Sequence, residues 1–373
     1  MQARRVLITG GAGFVGSHTA DALLEAGHEV RIFDSLTSQV HQGGVNSYIP
    51  KDAEFILGDV RNLAQLGKAV AGADVIFHFA AAVGVGQSMY QISDYTATNN
   101  LGTANLFQAI LDTRSTPEKI IVASSMSIYG EGKYACHRCG EMAPPARQLA
   151  QMKMKQWEPL CPKCGDVLVP MPTTEDKPLQ CTSIYALSKK DQEEMTLLFG
   201  RTYGIPTVAL RYFNIYGPRQ SLSNPYTGVA AIFASRLLNG KAPVIFEDGQ
   251  QMRDFVSVHD IVQANLLAME ESGADDKAIN IGSGNPVTVR EVALELGRAL
   301  GVQIPFDVTG KYRAGDVRHC FSDIAAATQL LGYSPRTSLL KGMKELAGWL
   351  ESQQAEDNID RALEQLNMQG LVA

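Results

Sequence analysis

The sequence predicts an α/β fold: a doubly wound parallel sheet, a smaller α/β domain after it, and an inserted cysteine-bearing segment. Three observations lead there. Short β-branched runs such as Val6-Leu-Ile-Thr9 alternate with helix-period segments through the first half of the chain. The first of these runs passes through a glycine cluster directly into a helical pattern. Two Cys-x-x-Cys-Gly motifs then interrupt the alternation before it resumes.

In chain order, Arg4 to Thr9 reads as a buried parallel strand. Gly10-Gly-Ala-Gly13-Phe14-Val15-Gly16 comes next, and a helical pattern runs through Ala26. Strand, glycine-rich turn and helix form the context of a dinucleotide fingerprint. The glycines permit a tight turn and close backbone approach to a pyrophosphate, which the free N–H groups of the helix start would receive. A second strand, Glu29 to Phe33, ends in Asp34, 18 residues beyond Gly16. A carboxylate there accepts from ribose hydroxyls and repels a 2′-phosphate, so NAD is favoured over NADP. Ala53 to Leu57 is a third strand leading into Gly58-Asp59-Val60, where Asp59 can reach an adenine amine. Asp74 to Phe79 is a fourth, running into Ala80-Ala81-Ala82, small residues past which a cofactor can lie close. Leu101 to Ile110 has helical spacing and Lys119 to Ala123 is a fifth strand.

The 373 residues carry 33 basic and 39 acidic side chains, a net charge of −6 that argues against nucleic acid or an anionic membrane as partner. The first five residues resemble a signal-peptide start, but the stretch after them is too short and too glycine-rich for an h-region. No apolar run reaches the ~18 residues of a membrane span. Six cysteines, four of them in Cys-x-x-Cys pairs, suit a reducing compartment and a metal better than a disulfide framework, so the expectation is a cytoplasmic protein.

Thr9-Gly-Gly-Ala-Gly-Phe-Val-Gly16, Asp34, Gly58-Asp-Val60, Asn99-Asn-Leu-Gly-Thr103, Ser124-Ser125 before Tyr129-Gly130, Tyr185-x-x-x-Lys189 and Arg211-Tyr-Phe-Asn-Ile-Tyr-Gly-Pro-Arg219 occur in that order. Together they resemble the extended short-chain dehydrogenase/reductase family, and within it the sugar-nucleotide 4-epimerases and dehydratases, from about Arg4 to about Tyr333. The resemblance implies a Rossmann-type NAD domain over 1–132 and 171–214, a sugar-nucleotide domain over 215–350, and a helical tail over 351–373. It assigns the tightly bound NAD to Gly10, Gly13, Phe14, Val15, Gly16, Asp34, Asp59, Val60, Ala80, Ala81, Ala82, Asn99, Tyr185, Lys189 and Tyr212. For Asn99 a capping or helix-packing role is equally open.

In that family the tyrosine of Tyr-x-x-x-Lys takes the proton of a sugar hydroxyl, a role that falls on Tyr185. A phenol of ordinary pKa ~10 is a poor base at neutral pH. Lys189, one helical turn away on the same face, is expected to favour the phenolate and to hold the nicotinamide ribose. Ser125 would hydrogen-bond the reacting oxygen. Family dehydratases carry an acidic pair directly after this serine. Here Met126 and Ser127 occupy those positions, and neither can act as acid or base for an elimination. Epimerisation needs no such pair. The resemblance places Asn214, Arg253, Arg313 and Asp316 on the nucleoside diphosphate, as suits guanidinium forks and a ribose-accepting carboxylate. Cys320 falls where some members gauge the sugar substituent, and Val83 where galactose-type members often carry lysine. His18 and His78 read as packed core residues, and His259 as a turn or cap residue. The last twenty residues read as a solvated helix.

Ser125 and Tyr185 are 60 residues apart, and the excess lies in Lys133–Pro170. Cys136-x-x-Cys139-Gly and Cys161-x-x-Cys164-Gly, with 21 residues between the pairs, form the double-knuckle pattern of a structural zinc ribbon. Four thiolates leave no open position, and a segment this short would draw folding free energy from the metal. Its place between serine and tyrosine suggests that it overhangs the sugar pocket or meets a partner subunit. The cysteines, the Ala81–Tyr90 loop and the serine motif resemble a bacterial subgroup that converts dTDP-L-rhamnose to dTDP-6-deoxy-L-talose. UDP-hexose or UDP-uronate 4-epimerases, a UDP-glucuronate decarboxylase and an NAD-sensing binding protein are the alternatives. The last typically loses the Tyr–Lys pair present here. The family commonly forms homodimers through two helices per subunit, here the one after Thr98 and the one bearing Tyr185.

Overall fold

A computed structural model describes residues 3–41, 48–302, 307–313, 315–353 and 356–372. The first two residues of the signal-like start therefore lie outside the described residues. Seven strands form one parallel sheet, ordered edge to edge as Lys277–Ile281, Thr207–Tyr212, Lys119–Ser125, Val75–His78, Arg5–Thr9, Glu29–Asp34 and Glu54–Leu57. The order reverses between Arg5–Thr9 and Val75–His78, and a crevice at such a reversal is where a doubly wound sheet binds its ligand. The inner strands are buried on both faces, which is why they read as unbroken apolar runs. No described helix is long and apolar enough to cross a membrane.

The boundary expected near residue 214 is only partly met. Asn214–Tyr216, Met252–Ser257, Pro286–Thr288 and His319–Cys320 form a second, mixed sheet. The chain between them goes back, however: helix Val258–Glu270 packs on the first helix, Phe14–Glu25, and Lys277–Ile281 becomes an edge of the main sheet. The two halves are interwoven rather than consecutive, because edge pairing with Thr207–Tyr212 depends on distant partners that periodicity does not reveal.

Helix Leu339–Leu350 ends just before the tail, and the tail itself forms helix Ile359–Met368, in which Ile359, Ala362 and Leu366 are buried, a stripe the expected solvated helix does not include. Asp357 pairs with Arg236 and Lys241, while Gln365 Oε1 accepts from the hydroxyls of Tyr90 and Tyr226. This helix straps the sheet half to the second half through its buried stripe, while Asp360, Arg361, Glu364 and Asn367 form the expected solvated face.

Candidate active site

At the crevice, Gly10 adopts φ +71°, and a Cβ there would stand 2.7 Å from the Ala80 nitrogen. At Gly16 a Cβ would stand 2.4 Å from the Gly10 carbonyl. Both positions are therefore closed to any larger residue. A Cβ at Gly13, the N-cap of the Phe14–Glu25 helix, would meet only the Gly10 oxygen, at 3.2 Å, so the turn stays open toward the space a pyrophosphate needs. Asp34 is buried, and each of its oxygens takes one backbone N–H, from Ala12 at 3.0 Å and Leu36 at 2.9 Å. Each oxygen keeps a lone pair for a ribose hydroxyl. These residues fit a dinucleotide. Asp59 is spoken for by Arg61, whose guanidinium takes both its oxygens and holds the carboxyl below its usual range. Val60 is buried against Gly102. Tyr212 is a core residue whose hydroxyl donates to Asn265, so only its ring is free to face a ligand.

Asn99 takes the packing role. It lies fully buried in a wide π-helical turn, Thr96–Leu101, of a kind often found at functional sites. Its Oδ1 accepts from Ala82 N, and its Nδ2 donates to Ala82 O and Ser188 Oγ. The alanine loop is thereby pinned to the helix that carries Tyr185. Sequence periodicity offers no signal for the extra residue of this turn.

That helix, Ile184–Tyr203, starts where Ser183 Oγ accepts from Ala186 N and ends at Gly204 with φ +67°. Tyr185 and Lys189 lie one turn apart and are both buried. Tyr185 packs edge-on against Tyr95, and its amide donates to Ser88 Oγ. Burial raises the Tyr185 pKa, and a hydrogen bond with Ser125 opposes that rise. Ser125 thus favours the phenolate that burial disfavours. Ser125 caps the turn Met126–Tyr129 and accepts from the hydroxyl of Ser127 at 2.9 Å. Ser127, which lacks the chemistry of an elimination acid, therefore orients the serine hydroxyl. Its side-chain type alone carried no such signal.

Lys189 Nζ donates to Ala123 O at 2.7 Å and Gln192 Oε1 at 2.9 Å. Burial pulls its pKa down to about 7. Between pH 7 and the ordinary lysine pKa of ~10.4 the unfolded lysine keeps a proton that the native one has released, so this group makes the native state gain stability as pH rises through that window. Urea denaturation at pH 7 and 9 should give a gain for the unmodified protein that exceeds that of Lys189→Met by up to about 1.4 kcal/mol per pH unit. Equal gains would remove the buried, neutralised lysine. Beneath it, Thr103 Oγ1 donates to Asn99 O and so accepts from His78 Nε2 at 2.9 Å. His78 Nδ1 then accepts from Thr9 Oγ1 at 2.8 Å. His78 is a neutral core residue, its pKa held down to about 3 by burial, as expected. His18, half-buried, bonds the Pro218 carbonyl. His259 is an exposed helical residue paired with Glu345, not a cap; Ser257 caps that helix.

On the second half, Asn214 Oδ1 is buried with no hydrogen-bond partner, which suits a group that meets a ligand. Arg313 lies over the Phe246 ring and donates to Asp316. Arg253 donates to the carbonyls of Met252, Val317 and Arg318, and its guanidinium is 3.8 Å from Asp316. These arginines are thus partly committed to shaping the segment Asp316–Arg318. Cys320 is buried and touches Thr173 Oγ1, with its thiol pushed up to about 12 by burial. Val83 is half exposed.

The insertion forms a three-stranded sheet, Gly140–Met142, Lys133–Cys136 and Val169–Met171. The sulfur atoms of Cys136, Cys139, Cys161 and Cys164 all lie within 4.8 Å of one another. The Cys136–Cys164 separation of 3.5 Å is far beyond a disulfide and close to the edge, about 3.8 Å, of a tetrahedron of sulfurs around zinc. Gly140 and Gly165 each adopt φ +79° just after their knuckles. The residues fit a closed metal site.

A Rossmann sheet, a glycine cradle and a Ser–Tyr–Lys set at one crevice define the class of dinucleotide-dependent enzymes that oxidise and reduce an alcohol carbon. The NAD dependent epimerase/dehydratase family model matches residues 6–149 and 162–282, and the chain belongs to that family. A dTDP-L-rhamnose 4-epimerase of Burkholderia thailandensis is 31% identical over 93% of this chain and 95% of its own length. A UDP-N-acetyl-alpha-D-glucosaminuronate decarboxylase of Bacillus cytotoxicus is 31% identical over 93% and 97%. Among solved structures, the UDP-glucuronic acid 4-epimerase of Bacillus cereus in complex with UDP-glucuronic acid and NAD is 26% identical, with TM-score 0.74, covering 93% of this chain and 99% of that one.

Proposed function

We propose that the protein is a nucleotide-sugar 4-epimerase, with dTDP-L-rhamnose converted to dTDP-6-deoxy-L-talose. The observation that supports the reaction type is a buried Tyr185–Lys189 pair on one helix face, with a Met126–Ser127 pair after Ser125 that offers no elimination acid. Tyr185 takes the proton of the sugar 4-hydroxyl, keeps it while C4 is a ketone and the sugar turns in the site, and returns it to the same oxygen as C4 is reduced on its other face. Ser125, oriented by Ser127, holds the reacting oxygen. When bound, NAD would supply the hydride acceptor and donor for C4. Gly10, Gly13, Gly16 and Asp34 hold the cofactor, and Lys189 holds its ribose. Asn214, Arg253, Arg313 and Asp316 receive the nucleoside diphosphate. The relative that acts on dTDP-L-rhamnose, similar over nearly the whole chain, supports the choice of substrate.

Cys136, Cys139, Cys161 and Cys164 hold a structural zinc in this reading, and all six cysteines being free suits the cytoplasm. Exposed Leu101, Leu187 and Leu198, in or just before the two expected helices, support a homodimer.

Proton NMR of the purified protein with dTDP-L-rhamnose in D₂O, without added NAD, tests the reading. C4 inversion without deuterium at C4 is the expected result. An unchanged sugar, in protein shown to carry NAD and zinc, would reject this substrate. Release of carbon dioxide from a UDP-uronate would instead favour the decarboxylase chemistry of the second relative.

A further inference from the structure

The insertion does not stand free on the surface. It is joined to the segment Asp316–His319 through a buried ion network. Arg147 donates two parallel bonds to Glu247, at 2.8 and 3.0 Å, and a third to the carbonyl of Asp316 at 3.0 Å. Glu158, three residues before Cys161, receives Arg318 at 2.6 and 3.0 Å and faces His319 Nε2 at 2.8 Å. His319 Nδ1 accepts from Met252 N, so Nε2 carries the proton that Glu158 receives. Arg318 also donates to Glu247, at 3.0 Å, so two guanidiniums share one carboxylate, and all three side chains are 1% exposed.

Burying two guanidiniums is unfavourable unless each finds well-placed acceptors. Nothing in the reaction chemistry needs them. Their geometry instead fixes the backbone on either side of Asp316, and Arg313 and Asp316 belong to the nucleoside-diphosphate set. Glu131, just ahead of the insertion, accepts the amides of Arg318 and His319 and the hydroxyl of Tyr134, two residues before Cys136. Each knuckle is thus linked within three residues to a group that grips this loop.

We infer that the cysteine insertion positions the nucleoside-diphosphate loop: closing the four-cysteine site sets Glu158 and Arg147, and these hold Asp316 to His319 in the conformation that binds the diphosphate. Arg147 and Glu158 are positioning residues, not catalytic ones. The inference rests on the nucleotide-sugar reading for its ligand, but not for the mechanical link itself. If the two sites are coupled, the coupling is reciprocal, and a factor of about 5 to 150 is usual for such linkage.

The test compares the zinc-loaded protein with Cys161→Ser and, in case that variant does not fold, with Arg147→Met, which leaves all four cysteines in place. Three quantities are read: dTDP affinity by calorimetry, amide exchange over residues 311–319, and NAD content. The expected result is dTDP binding weakened on the order of tenfold in either variant. Faster exchange at Val317 to His319 and unchanged NAD content should accompany it. In the unmodified protein, saturating dTDP should raise zinc affinity in a chelator competition by the same factor that zinc raises dTDP affinity. Binding within twofold of the unmodified protein together with unchanged exchange over 311–319 would overturn the inference. Failure of the unmodified protein to bind dTDP or UDP would count against the nucleotide-sugar reading, and the exchange comparison would still decide the link.

Discussion

Tyr185→Phe should lower turnover by about 10²- to 10⁴-fold while leaving NAD content and dTDP affinity within twofold of the unmodified protein. The substitution removes one oxygen and keeps the ring that packs on Tyr95 and the amide that donates to Ser88. The fold therefore has no reason to respond, and the loss should fall on kcat. A kcat within threefold of the unmodified value would end the assignment of Tyr185 as the base. Ser125→Ala sharpens the test. The serine hydrogen bond opposes the rise that burial imposes on the phenol. Without it the phenol becomes harder to deprotonate, so the limb of kcat that rises with pH should move to higher pH. A limb that stays or moves down would contradict the tuning described here.

The second large effect concerns stability. Arg211, on Thr207–Tyr212, meets Glu193, on the Tyr185 helix, through bonds of 2.6, 3.0 and 3.2 Å, with both side chains buried. The same carboxylate takes the hydroxyl of Ser124, and Arg211 also donates to Tyr129. Arg211→Met leaves Glu193 as a buried charge with only Ser124 for a partner, which should cost about 3–5 kcal/mol in urea denaturation at pH 7. Glu193→Leu added to Arg211→Met removes the stranded charge, so the double variant should recover much of the loss. A single variant within 1 kcal/mol of the unmodified protein would mean that the pair is not buried in solution.

Most of the nucleotide-binding half can be read from the chain because its signals are local. Strand, glycine turn and helix are contiguous, and Asp34 ends its strand directly. The five strands expected up to Ser125 lie within one or two residues of their expected positions. The Tyr185–Lys189 spacing on one helix face comes from helix geometry alone. The cysteine pairs are equally legible, since their knuckle glycines at φ +79° are a local necessity.

The features that sequence reading misses depend on contacts between distant segments. Lys277–Ile281 reads as part of the second domain but joins the first sheet, because its partner lies about seventy residues earlier. Asn99 could be placed near the cofactor or in a packing role; only the π-helical turn shows it clamping Ala82 to Ser188. The spacing of Ile359, Ala362 and Leu366 is visible and marks a buried stripe, but the wealth of acidic and amide side chains obscures it.

The sequence by itself determined the fold class, the glycine turn, the Tyr185–Lys189 spacing and a four-sulfur cluster, since each is set by neighbours along the chain. Only the tertiary structure decided that Ser127 orients the Ser125 hydroxyl, and that Arg253 shapes the loop beside Asp316. It also joined the insertion to that loop through Arg147, Glu247, Arg318 and Glu158. These are pairings of charges and hydroxyls across tens of residues. Isolated charges on a sequence carry no mark of their partners, because Coulomb attraction and desolvation depend on where the folded chain puts them.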